Sequence, residues 1–176
     1  KDGARHVELN RNGDVAATGV LYNVCAGSHA DTVVLDIIGT ILTDAPSGRL
    51  YKSLVEGGLA SFVSPLFFPT REPGAFMVLS EVQKDINPNT VLNTMKEEIE
   101  SFFESEITET EVNRAKTRLL KQIELSFKNS NQIGISLTES AAVGDWRLFF
   151  LSRDQLEKVT VEDVARVASI YFKNSN

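Results

Sequence analysis

Asp44-Ala-Pro-Ser-Gly-Arg-Leu-Tyr-Lys-Ser-Leu-Val-Glu-Gly-Gly-Leu-Ala-Ser-Phe-Val63 is the stretch whose reading decides the fold. Asp44 to Gly48 is a turn, because Pro and Gly stop whatever precedes them. Ser47 is placed to cap a helix, its side-chain oxygen accepting an otherwise unpartnered first-turn N–H. Leu50, Tyr51, Leu54 and Val55 then share one helical face. Gly57-Gly58 ends that helix, since Gly enters the left-handed region without a Cβ clash. Leu59 to Phe68 reads as a strand. A helix, a turn, a second helix and a strand therefore meet here.

Working outward, Arg5 to Arg11 alternates Val7 and Leu9 with polar residues, as in a half-exposed strand. Asn12-Gly13 is a two-residue hairpin signal, and Val15 to Ala26 continues as a second strand. Ser28 with Asp31 resembles a capping box. The next helix stripes Val33, Val34, Ile37, Ile38, Ile41 and Leu42 on one side, and Gly39 within it either lets another backbone approach closely, the favoured reading, or is merely tolerated at about 1 kcal/mol relative to Ala. Pro69 to Gly74 is a loop, followed by a strand over Ala75 to Val82. Four strands with helices inserted between them predict an α+β fold: one mixed β-sheet covered by helices on one face.

The C-terminal half is helical. Asn87-Pro88 caps a helix whose stripe is Val91, Leu92, Met95, Ile99, Phe102 and Phe103. Thr108 with Glu111, and Thr160 with Asp163, open two more. Val112, Ala115, Leu119, Ile123 and Phe127 keep a helical period. Asn129 to Asn131 and Gly134 predict a break, and Gly144-Asp145 another. Trp146 to Val159 is helical, with Leu148, Phe149, Leu151 and Leu156 available to pack. The last helix carries Val161, Val164, Ala165, Ala168, Tyr171 and Phe172.

Composition limits the function. The chain has 176 residues, 42% of them apolar, enough to bury the core of one domain over residues 1–176. A net charge of −6 argues against a nucleic-acid partner. No apolar run approaches the roughly 20 residues that span a bilayer. The chain starts without Met and is read as a piece of a longer protein. One cysteine, Cys25, excludes an internal disulfide and suits a packed thiol. Hydrolytic zinc needs about three close protein ligands, yet His6 and His29 are the two histidines and lie on different segments. There is no His-x-x-Glu-His, no Gly-x-Ser-x-Gly elbow and no phosphate loop. Glu97, Glu98 and Glu100 sit opposite their helix stripe and read as a solvated face. The phenylalanines and Trp146 read as core. No catalytic set and no metal site is expected in this chain.

A resemblance sharpens this reading. Ser47-Gly-Arg-Leu-Tyr-Lys52, Leu54-Val-Glu56 and Leu59-Ala60 are similar to the second half-domain of the pitrilysin/insulinase-type zinc proteases, which include the mitochondrial processing peptidases. Val24-Cys-Ala-Gly-Ser-His29, Leu35 to Leu42, Thr108 to Lys116, Gly144-Asp-Trp-Arg147 and Val159 to Ala168 continue the likeness in order. It implies a non-catalytic half that closes, with a separate zinc-bearing His-x-x-Glu-His half, around an unfolded peptide. The catalytic half would be part of the same polypeptide or a partner subunit, and zinc would sit there. Core subunits of respiratory complexes share the fold as inert assembly modules, which is the alternative. In several members this half supplies an Arg and, seven residues on, a Tyr that hydrogen-bond the substrate. Those positions are Leu54 and Ser61 here, so the pair is replaced. Arg49 and Tyr51 are the nearby groups expected to face substrate or partner; otherwise Arg49 would meet a local carboxylate and Tyr51 would pack. An exposed, partly apolar docking surface, prone to self-association when isolated, is also expected, in a bacterial periplasm or cytoplasm.

Overall fold

Residues whose side chains alternate between two environments set the sheet. The computed structural model describes residues 3–102, 104–174 and 176. In chain order it has β1 (Ala17–Ala26), α1 (Asp31–Thr43), a π-helical turn (Tyr51–Glu56), β2 (Ala60–Phe68), β3 (Pro73–Val82), α2 (Pro88–Glu100), α3 (Glu109–Ser126), α4 (Ser130–Val143), α5 (Leu148–Lys158) and α6 (Val161–Tyr171). The α+β class stands, and so does the one-sided helical cover.

The sheet differs from the expectation in two ways. It has three strands among the described residues, ordered β1-β3-β2, and every pairing is antiparallel. It is not mixed, because β3 turns back along β2 and then runs antiparallel to β1 as well. The predicted first strand, Arg5 to Arg11, does not form. Val7 and Leu9 stand 77% and 75% exposed, and Asn12-Gly13 closes no hairpin. A turn signal alone does not hold a ribbon; a two-stranded hairpin needs a face to bury.

The inner face of the sheet carries Val20, Tyr22 and Val24 on β1, Phe76, Val78 and Ser80 on β3, and Val63 on β2, all buried. α1, α2 and α6 lie against it. α1 buries Val33, Val34, Leu35, Ile37, Ile38, Ile41 and Leu42. Gly39 permits the close approach expected of it: a Cβ there would stand 3.1 Å from Pro65 Cβ and 3.4 Å from the Phe76 ring. Phe172, just after α6, meets Tyr22 and Phe76 at ring distances of 5.2 and 5.3 Å. Val91, Met95, Ile99 and Phe102 are buried as the α2 stripe predicts; Phe103 of that stripe lies outside the described residues.

The helix ends test the capping chemistry. Asn87 accepts from the Asn89 N–H with Pro88 at the first position, and both capping boxes, Thr108 with Glu111 and Thr160 with Asp163, are formed. Asn129 caps α4 after the predicted break, and Gly144 ends it at φ 131°. Ser28 does not cap α1; His29 Nδ1 accepts the Asp31 N–H instead, at 3.1 Å. Ser47 is no cap either. The Gly48 N–H bonds back to the Asp44 carbonyl, so the turn feeds the next helix directly.

The aromatic expectation is partly corrected. Phe76, Phe102 and Phe172 are core, but Phe62, Phe68, Phe150 and Trp146 are about half exposed, at 50, 48, 48 and 56%. Phe62 and Phe68 lie on the sheet face away from the helices. Trp146 and Phe150 pack on one another with Phe127 and Phe149 near the surface.

Candidate functional site

The stretch from Asp44 to Val63 builds the site. Gly48 is required at its corner, since a Cβ would fall 2.6 Å from the Asp44 nitrogen and 2.8 Å from the Leu42 carbonyl oxygen. The following turn closes wide rings, with Gly57 N–H donating to the Lys52 carbonyl and Leu59 N–H to that of Leu54. Such π-helical turns recur at functional sites. Gly58, at φ 72°, then releases the chain into β2.

This wide turn separates the four residues singled out from sequence. Leu54 is fully buried in the core. Arg49 faces away from β2, toward the start of α3. Its Nε donates to Glu111 Oε1 at 2.9 Å and its Nη2 to Oε2 at 3.0 Å. Nη2 also reaches the Glu106 carbonyl at 2.7 Å, and Nη1 bonds the Ser105 hydroxyl. The guanidinium lies 4.9 Å from the Phe102 ring centre. Burial would raise the Glu111 carboxyl; the Arg49 and Thr108 hydrogen bonds outweigh it and hold it at about 2. Tyr51 and Ser61, by contrast, come together in a cleft of about 510 Å³ between α1, β2 and α3.

Asp36, Asp44, Arg118 and Gln122 join them in that cleft. Arg118 Nη1 meets Asp44 Oδ1 at 2.7 Å, off the direction of a well-formed hydrogen bond. Asp36 lines the cleft, and protein crowded around its carboxyl pushes it up to about 7. The cleft offers hydroxyls, an amide and a carboxylate, which suits holding a polar chain.

Beyond the cleft, the sheet face away from the helices is uncovered. Register puts Leu21, Met77 and Leu66 in one row across the three strands, with Phe62 beside Glu81 and Phe68 beside Ala75. Leu21, Phe62, Leu66 and Phe68 are 53, 50, 37 and 48% exposed. An apolar patch of this kind marks an interaction surface more often than chance placement does.

Sequence reading missed one buried ionic cluster. Asp31, 4% exposed, accepts from Arg166 Nη2 at 2.8 Å and from the Tyr171 hydroxyl at 3.2 Å. Burial raises its carboxyl, but the Arg166 hydrogen bond and charge bring it below the usual range. The cluster ties the start of α1 to α6 across 135 positions, a separation no local pattern signals. It also engages His29, 3.6 Å from Asp31 Oδ2. His6 is exposed on the extended N-terminal segment. Burial pushes the Cys25 thiol up, as a packed thiol should be. Glu100 departs from the solvated face assigned to it and stands beside the Tyr22 hydroxyl. No group of three His, Cys, Asp or Glu side chains is placed to hold a metal ion among the described residues.

The sequence matches the peptidase M16 inactive domain over residues 1–119. The chain belongs to that family. Among solved structures, a candidate zinc protease from Bordetella pertussis Tohama I is 33% identical, with a TM-score of 0.82 over 89% of this chain and 87% of that one. The inactive peptidase domain of a candidate zinc protease from Bordetella parapertussis is 34% identical, with a TM-score of 0.83 over 94% and 91%. A protease from Helicobacter pylori, at 23% identity, shares the fold at a TM-score of 0.90 over 98% of this chain but only 42% of its own. Comparison with curated proteins gives no match. No helix among the described residues is long and apolar enough to cross a membrane.

Proposed function

We propose that this domain completes the peptide-binding chamber of a bacterial zinc endopeptidase, beside a separate half that carries His-x-x-Glu-His and activates water on its metal. The observation that carries this reading is the uncovered sheet face of Leu21, Phe62, Leu66 and Phe68 in a member of the inactive-domain family. A fold that buries seven apolar side chains of α1 on one side of its sheet would not leave the other side apolar without a partner for it.

In this reading Tyr51 and Ser61 face substrate or partner from the cleft, and Arg49 serves as a brace that holds the start of α3. With Leu54 inside the core, no Arg–Tyr pair reaches the reacting bond from this half, so its contribution is enclosure and peptide alignment. The unfolded peptide lies between the halves, in the periplasm or cytoplasm. The test is reconstitution with the catalytic half, from the same polypeptide or a partner subunit. Cleavage of an unstructured peptide that needs both halves supports the reading. A stable but inert complex would favour the assembly role instead.

A further inference from the structure

Charge in the cleft between α1, β2 and α3 does not balance. Three charged residues line it: Asp36, Asp44 and Arg118. Arg118 is committed to Asp44, Nη1 to Oδ1 at 2.7 Å. Nothing comparable reaches Asp36. Its carboxylate makes no ion pair or hydrogen bond among the described residues, and burial alone acts on it. The Thr40 hydroxyl, one turn on, donates to the Asp36 main-chain carbonyl instead. The hollow on the other side of Asp36, floored by Leu119 and Ile123, has no second charged residue among those described. One negative charge is therefore left uncompensated when Asp36 is ionised.

A second observation points the same way. The Asp44 side chain is 8% exposed, yet its Oδ1 has no well-directed hydrogen bond, because Arg118 meets it out of line. A buried acceptor left short costs about 1–3 kcal/mol, so a donor entering the cleft is stabilised there. The remaining wall agrees. Tyr51 and Ser61 bring hydroxyls that can accept, and Pro65 has no N–H. An anion would meet two carboxylates and one guanidinium already engaged. Phe62 and Phe67 add apolar surface, which suits an aliphatic stem that ends in a charged head.

We propose that this cleft holds a lysine or arginine side chain of the peptide substrate, its charged head toward the Asp36 and Asp44 carboxylates and its stem along Phe62. The occupant follows from charge complementarity and from position. Phe62 belongs both to the cleft and to the uncovered sheet face, so a peptide enclosed against that face passes beside the cleft. The inference rests on the enclosure reading given under the proposed function.

The test uses the assembled two-half protein and quenched peptides, N-acetylated and C-amidated, whose only charge is one lysine moved along the sequence. Each is compared with the peptide that carries norleucine at the same place. At one position lysine should lower KM at least about tenfold, and Asp36→Asn should bring the two KM values within about twofold. The parent adds a pH profile, which decides if the variant does not fold. Lysine stays charged near neutrality, and the ratio of the two peptides cancels the pH dependence of the chemistry. With the Asp36 carboxyl raised to about 7, the preference should grow at least about threefold from about pH 6 to about pH 8. The other ionisable side chains that line the cleft, Asp44, Arg118 and Tyr51, are of types that ordinarily titrate well outside that range. A lysine preference that survives Asp36→Asn or stays level with pH would overturn the inference. So would no preference at any position in an assembly that cleaves the norleucine peptides; either result leaves the enclosure reading standing. An assembly that cleaves none of the peptides would overturn both.

Discussion

Glu111 carries two duties: it closes the capping box of α3 with Thr108 and it receives Arg49. Replacing it with Gln keeps the shape and removes the charge, and should cost about 2 kcal/mol at pH 7 by urea unfolding. The pH dependence has a fixed sign. Its carboxyl falls from 4.5 to about 2 on folding, so its stabilisation is complete above the ordinary value and is lost as pH falls from there through about 2. The Glu111→Gln protein should lack that component of acid unfolding. Asp36 runs the other way: raised to about 7, it lowers stability as pH rises through that range. Asp36→Asn should therefore raise the melting temperature at pH 8 and leave it nearly unchanged at pH 4. Sequence reading expected Arg49 to face substrate or partner, with a local carboxylate as the alternative; that it meets Glu111, 62 positions away, was not legible. The Asp31–Arg166 pair was invisible for the same reason.

At the scale of elements, local signals were read well wherever the chemistry was local. Asn87-Pro88, Thr108 with Glu111 and Thr160 with Asp163 cap their helices as their side chains predict. Thr160→Ala should cost about 1 kcal/mol, measured by thermal or urea unfolding. Gly39 was legible as a close approach, and the surface it meets is Pro65 and Phe76. A larger side chain there must force α1 off the sheet, so Gly39→Leu should destabilise by about 3 kcal/mol or fail to fold. The missteps have one cause. Arg5 to Arg11 has the alternation of a strand, and Phe62, Phe68 and Trp146 have the hydrophobicity of core, but alternation and hydrophobicity report what a residue could bury, not whether this chain supplies the cover. The mixed sheet failed similarly, because alternation within a strand does not report the direction in which it pairs with its neighbours.

For the molecule as a whole, the same surplus of apolar surface is the functional signal. Phe62→Asp combined with Leu66→Asp changes two side chains on the uncovered face and none in the core. The double variant should melt within a few degrees of the parent and lose association with the catalytic half, read by light scattering. The isolated domain should self-associate through that face, and the double variant should be monomeric. The most direct measurement of the central claim is cleavage of a quenched, unstructured peptide by each half alone and by the two together. The account predicts that this half is inactive, that the zinc-bearing half is at most weakly active, and that mixing them raises the rate at least tenfold. A catalytic half that is fully active without its companion, or this chain binding one equivalent of zinc through His6 or His29 and cleaving peptide by itself, would contradict it.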